Sequence, residues 1–294
     1  MGGPGDDLNR AAWADARTVE IFLRRSGFVC AGEARVMRRL SQEVKGERIL
    51  DIGVGGGRTT EFLRQLTTGY LGIDYLEELV GAARQRFPGT RFELMDARDL
   101  SALPAAQFGA AVFSLNGLDG MSHGDRAKVL SEVHRVLRPG GWFAYSTHNL
   151  AFALIGDRWR PDPRRTLRHP RAAARFAIDT ARRCWRGWRL RDELERGDGW
   201  ATLVSDAYGH EVVWHHVDLE ELLRELTVAE LDCEIEVCTA DGRDARTGLV
   251  EPEATRLAHP SSPDLHVLAR KAPHGTTPPA SCGSVAQLEL EAEA

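Results

Sequence analysis

The sequence predicts an α/β protein built on an open, mostly parallel sheet with helices on both faces. Three observations predict it. Short apolar runs without turn residues, such as Ile49-Leu50 and Ala110-Ala111-Val112, alternate with stretches of helical periodicity, as in consecutive β-α-β units. The first run empties into four glycines within five positions, Gly53 to Gly57, before a helical pattern resumes at Thr59. Acids close three successive strand candidates, at Asp51, Asp74 and Asp96.

Composition sets the bounds. A length of 294 residues with 43% hydrophobic content suits one large domain, or one core with an insertion. No apolar run approaches the ~20 residues of a membrane span. The first residues lack the basic-then-apolar order of a secretory leader, so a cytoplasmic location is expected. Five cysteines, without C-x-x-C pairing, argue against a disulfide framework or structural zinc. The net charge of -5 hides an asymmetry: twelve arginines against two acids lie between Arg158 and Arg191. That segment is suited to an anionic partner.

The glycine loop carries the first functional signal. Glycine there gives φ > 0 and lets backbone approach a ligand without an intervening Cβ. The dinucleotide frame G-x-G-x-x-G fails, because its third glycine falls on Arg58 or Thr60. What fits is D-x-G-x-G-x-G, as Asp51, Gly53, Gly55 and Gly57. That arrangement resembles motif I of the class I S-adenosylmethionine-dependent methyltransferases. The resemblance implies that this loop packs against the amino-acid end of S-adenosyl-L-methionine, whose demethylated product is S-adenosyl-L-homocysteine.

The remaining elements follow in order. Residues 1–6 read as disordered. Leu8, Ala12, Val19, Phe22 and Leu23 mark an amphipathic helix stopping near Gly27, and a second helix is expected over 32–43. Leading helices of this family often fold over the cofactor. Trp13 and Phe22 therefore either close the pocket or pack the core. A second strand ends on Asp74, seventeen residues past Gly57, near the ~20-residue interval at which an acid meets ribose hydroxyls. Asp74 also suits the N-cap of the helix that begins with Tyr75, and both uses are compatible. In the third unit the resemblance implies that Asp96 binds the adenine amino group beside the Ala97 backbone, with Asp99 the competing assignment. The fourth strand, 108–116, passes Ser114 and ends in Asn116-Gly117, where the family's methyl group faces its acceptor. Leu137-Arg138-Pro139-Gly140-Gly141 matches the family's turn before strand five, which runs into Ser146-Thr147-His148-Asn149. The "N-G" and "S-x-H-N" strand ends are similar to those of a bacterial small-molecule subgroup.

Beyond Leu150 the pattern breaks. Residues 150–211 read as an inserted cap that, with its exit, holds five of the seven tryptophans. Its expected helix, 172–194, sets Phe176, Ile178, Trp185 and Trp188 among arginines. That stripe either packs on the core or forms a substrate lid. His210 to His216 alternates like a strand, and Asp218-Leu219-Glu220-Glu221 resembles a capping box. Residues 231–238 and 264–270 supply sixth and seventh strands.

The expected architecture is thus a Rossmann-like, seven-stranded, mostly parallel sheet with an antiparallel last strand and an inserted helical cap. Its parts are covering helices (1–44), a cofactor-binding core (45–149), a basic, Trp-rich cap (150–211), the rest of the core sheet (212–271) and a disordered tail (272–294).

A sulfonium methyl is already activated, so transfer needs in-line approach and exclusion of water. An oxygen or nitrogen acceptor also needs its proton removed, for which histidine is suited. His148 is the first choice of base, with Asn116 and Asn149 holding the acceptor. His215 and His216 come second, and alternation lets only one face the pocket. Each histidine has a plain structural reading beside this one. No metal site is expected, because His215-His216 lacks an acid at ligand spacing. The expected partner is a small, carboxylate- or phosphate-bearing acceptor, with no membrane; a homodimer is compatible. Nucleic acid is disfavoured, since Asn116 is followed by glycine rather than by the Pro-Pro pair of base methyltransferases. The rival class is a fold of this kind that binds the cofactor as a regulator without transferring methyl.

Overall fold

The strand that organises the molecule is β1 (Ile49–Ile52), buried along its whole length. In the computed structural model it pairs in parallel with β2 (Tyr70–Asp74) on one side and β4 (Phe108–Phe113) on the other. The structure describes residues 5–156, 194–207, 209–245 and 262–273, with positions 178, 181, 185 and 188–192 between them. The sheet runs outward from β1 through β2 to β3 (Phe92–Leu94), and the other way through β4 to β5 (Leu137–Asn149). Chain order therefore reverses across the β1–β4 pair, which opens a crevice at their carboxyl ends.

Period-two alternation places side chains on both faces, and both are covered. Ala110 and Val112 of β4, with Trp142 and Ala144 of β5, pack beneath α3 (Ala31–Glu43), α4 (Thr60–Leu66) and α5 (Glu77–Arg86). Ala111, Phe113, Phe143 and Tyr145 face the opposite way, onto α6 (His123–Val136) and a later helix, Leu219–Val228. Truncating one of the large side chains among them, Phe113, Trp142 or Phe143, to alanine is expected to cost about 3–5 kcal/mol.

The sheet has ten strands among the described residues, against the seven expected. Seven are the expected strands. After α7 (Leu150–Gly156) the extra three are β6 (Arg196–Gly197), β7 (Trp200–Ala207) and β8 (His210–Val217). Then come α8 (Leu219–Val228), β9 (Glu234–Thr239) and β10 (Asp264–Arg270). β10 is antiparallel to both β5 and β9, as expected of the last strand. β5 runs past the end of β4. There His148 pairs with Asp264 of β10 on one edge and His216 of β8 on the other, so β8 takes up the place β4 vacates. The β7–β8 hairpin thus stands over the crevice. Its second strand was legible from alternation, whereas β7, read as part of a helical cap, was not.

Three other expectations change. The first helix is two, α1 (Asp6–Ala14) and α2 (Ala16–Leu23), because Asp15 turns the chain and accepts the Arg17 and Thr18 N–H groups. Asp6 belongs to α1 rather than to a disordered start. Ile178, Trp185 and Trp188 are each more than half exposed and do not pack on the core. Most of the expected 172–194 helix, and the tail beyond Pro273, lie outside the described residues.

Candidate functional site

The glycine loop forms the floor of the crevice. Gly53, Gly55 and Gly57 all adopt positive φ, the region disfavoured to other residues. Their environments differ. A Cβ on Gly53 would strike the Phe113 ring, whereas one on Gly55 would meet nothing nearer than 4.0 Å. Gly55 therefore presents bare backbone to a pocket of about 1090 Å³, counting its open mouth. Arg58 braces the loop from behind with two bonds to Glu33, at 2.6 and 2.8 Å, and one to Gly27 O at 2.7 Å. Arg86 gathers the carbonyls of Leu23, Arg25 and Gly56 on one nitrogen, locking the end of α2 to the loop.

Asp74 closes the next side. Its carboxylate accepts the Gly55 N–H at 3.0 Å and the Leu76 N–H at 3.1 Å, so one side chain shapes both the loop and the entry to α5. Burial pushes its pKa up to about 6, against the pull of those backbone donors. Lone pairs remain on both oxygens for further donors. Tyr75, Asp96, Ala97 and Ser114 complete this wall. The Asp96 carboxylate is clasped by Arg98, at 2.6 Å for the shortest bond, and Arg98 also reaches Asp6 of α1 at 3.1 Å. Asp99, the rival assignment, caps its own turn through the Ser101 N–H and does not line the pocket.

Two expected wall residues stand behind the wall. Asp51 is buried beneath the loop, where Tyr70 Oη and Thr59 Oγ1 donate to its Oδ2 at 2.7 and 3.3 Å. Its other oxygen has no hydrogen-bond partner among the described residues, and burial pushes its pKa up to about 7. Gly57 turns toward Phe87 instead of the pocket. Both shape the loop rather than face a ligand.

The roof is aromatic. Trp13 of α1 and Trp214 of β8 meet at 5.2 Å between ring centroids, with Phe22 6.1 Å from Trp13, and all three line the pocket. Of the two readings of Trp13 and Phe22, the structure supports the covering one. Asn9 holds α1 in place: its amide takes the Val213 N–H at 2.8 Å and donates to Val213 O at 2.7 Å and Gly120 O at 3.0 Å.

Past β4 the backbone is strained. Leu115 and Asn116 both hold φ of 56°, a conformation costing non-glycine residues about 1–3 kcal/mol each. This strain drops the chain into a short 3₁₀ turn, Gly117–Gly120, that carries Asp119 inward. Asp119 is fully buried. Its Oδ2 takes the His148 backbone N–H at 2.6 Å and lies 2.7 Å from His148 Nδ1, while Oδ1 accepts from Thr147 Oγ1 and Arg126. Arg126, also fully buried, makes two further bonds to Glu225, at 3.0 and 2.7 Å. Burial pulls the His148 pKa down, but the Asp119 carboxylate outweighs it and the net shift is upward. Asp119 itself is raised by burial and lowered more by His148 and Arg126, for a net downward shift. His148 Nε2 lies 3.2 Å from Asn116 Nδ2, which also donates to Asp264 Oδ1 at 2.8 Å. The His148 ring packs 5.0 Å from Trp214 and does not itself line the pocket.

Asn149 and His215 lie elsewhere than expected. Asn149 is fully buried, donating to Ser262 O at 3.0 Å and accepting the Ala151 N–H at 3.0 Å, so it caps α7 rather than holding an acceptor. His215 is fully buried on the far face of β8, stacked near Trp200 and His123. His216 is the one on the His148 side, at 4.9 Å. Sequence reasoning passed over Asp119, Arg126 and Glu225. The one hint to them was Asp119, an acid three residues past Asn116.

Residues 49–141 match the family model described as a methyltransferase domain. A probable S-adenosylmethionine-dependent methyltransferase of Mycolicibacterium smegmatis is 33% identical over 115 residues, covering 39% of this chain and 43% of that protein. A trans-aconitate 2-methyltransferase of Variovorax paradoxus is 30% identical over 172 residues, covering 58% and 60%. The chain spans about half the length of the curated relatives it matches. Among solved structures, an S-adenosylmethionine-dependent methyltransferase from Mesorhizobium loti is similar with a TM-score of 0.51 and 25% identity, over 82% of this chain and 98% of that one.

Proposed function

We propose that residues 49–141 form a methyltransferase domain of the class I, S-adenosylmethionine-dependent family and that the whole chain moves a methyl group to an oxygen or nitrogen of a small-molecule acceptor. One observation carries the proposal. A single pocket joins the bare backbone of Gly55, the Asp74 carboxylate and the Asp96–Ala97 turn under an aromatic roof. The residues fit S-adenosylmethionine. Asp74 offers its free lone pairs to two adjacent hydroxyls, Asp96 offers an acceptor to an amino group, and Gly55 leaves room where a side chain would intrude. Bound there, the cofactor would supply a methyl group on an electron-poor sulfonium.

The chain's own residues would do the rest. Trp13, Phe22 and Trp214 exclude water, and their faces suit a flat acceptor. Asp119, 2.7 Å from His148 Nδ1, would keep the ring proton on that side and leave Nε2, which faces the Asn116 amide beside Trp214, to take a proton from an acceptor hydroxyl or amine that reaches past the aromatic roof. An anionic acceptor is favoured by the arginines between residues 158 and 191 and by the relative named for trans-aconitate.

Calorimetry with S-adenosylmethionine and S-adenosylhomocysteine, followed by transfer of labelled methyl into fractionated small-molecule extract, tests this reading. Binding with incorporation supports it. Binding without any incorporation would leave the regulator reading, and absence of binding to either compound would remove both.

A further inference from the structure

A second cluster of chemically competent side chains lies on the far side of β8 from the pocket. His123 opens α6, His215 is the inward residue of β8, and Glu225 sits on α8, so three separate segments converge. His123 Nδ1 is 3.2 Å from His215 Nε2 and 3.8 Å from a Glu225 oxygen. The three ligand atoms all lie within 4.8 Å of one another. A tetrahedral zinc with bonds of about 2.0–2.1 Å sets its ligand atoms about 3.3 Å apart, close to these separations. We propose that His123, His215 and Glu225 form a site for one divalent transition ion, zinc by preference, that clasps the outer hairpin to the core.

Three further features support the site. The Glu221 carboxylate lies 3.9 Å from the other nitrogen of His123, the place of an outer carboxylate that orients a ligand histidine. Trp200 stacks on the His123 ring at 4.1 Å and fixes its plane. A surface groove between α6 and α8, bordered by His123, Glu221 and Glu225, gives an ion its path and a water its place as fourth ligand. Arg126 opposes the ion, since its Nε lies 3.0 Å from the same Glu225 oxygen, but Asp119 and Glu225 already balance that charge. Sequence spacing concealed the group because its members are 92 and 10 residues apart in the chain.

The alternative for the pair is a plain hydrogen bond between two neutral rings, and metal titration separates the two. The full chain is treated with EDTA, dialysed and titrated with Zn²⁺ alone, then with Co²⁺ alone for its visible bands. One ion per chain is expected, with tetrahedral Co²⁺ absorption. His123→Gln, at a partly exposed position, should weaken Zn²⁺ by more than the ~100-fold that loss of an outer partner can cost. Its far-UV circular dichroism should match the parent. His134→Ala, a histidine bordering the same groove, should bind as the parent does. A parent chain that retains no Zn²⁺, or a folded His123→Gln that binds it equally well, overturns the site. Neither result depends on methyl transfer.

Discussion

The floor of the pocket and the histidine shelf behind its aromatic roof are built in opposite ways. The floor, from Gly53 to Asp74, is made mostly of backbone: positive-φ glycines, N–H groups held by one carboxylate, and residues adjacent in sequence. The shelf is made of side chains drawn from distant segments, Asp119, Arg126, His148 and Glu225, joined by buried charge. Backbone geometry is written in the local sequence, because only certain residues permit it. Buried ion networks leave no local signature, so the fold must form before they can be seen.

Experiments can break this contrast by asking which region controls binding and which controls turnover. The largest effect is expected at the shelf. His148→Ala should lower kcat by roughly 10²–10⁴, the usual worth of a general base, while leaving the dissociation constant for S-adenosylmethionine unchanged. Equal loss in binding and turnover would place His148 in the floor's role instead. Arg126→Leu should destabilise the fold by about 3–5 kcal/mol in denaturant unfolding, because it takes the buried cation from Glu225 and leaves Asp119 only its His148 and Thr147 partners. A loss under 1 kcal/mol would show that the network is not held by charge.

At the floor, Asp74→Asn should weaken cofactor binding by about 10- to 150-fold, corresponding to ~1.5–3 kcal/mol for hydrogen bonds to a charged group. The pH dependence should be smaller but diagnostic. Asp74 titrates near 6 in the folded chain against an ordinary value of 3.8, so it is protonated below that pH. Cofactor affinity, which needs the acceptor form, should fall as pH drops through about 6, a limb that Asp74→Asn should lack. Apo-protein stability should move the opposite way across roughly pH 4–6, falling as pH rises, because there the folded state binds the extra proton. An affinity flat from pH 5 to 8 would remove Asp74 from the contact.

Legibility follows the same division. The D-x-G-x-G-x-G loop, Asp74 and the turn before β5 could all be read because each depends on residues close together. Asp96 could be named, but its clasp by Arg98 and Asp6 could not, since Asp6 is ninety residues away. Asn149 was misread because a polar residue just past a strand end suits a helix cap as well as a ligand contact. β7 escaped because its pattern, Trp200 to Ala207, alternates weakly and follows a run of charged residues.

The Asn9 amide has a consequence for handling the molecule. By filling both the donor and the acceptor of Val213, it stands in for a missing neighbour on the free margin of β8. A shortened form beginning after residue 15 would bare that margin. Such an edge recruits whatever extended chain it meets. The trimmed protein is therefore expected to self-associate on size-exclusion chromatography, whereas a fusion placed ahead of Asp6 should leave the margin sealed.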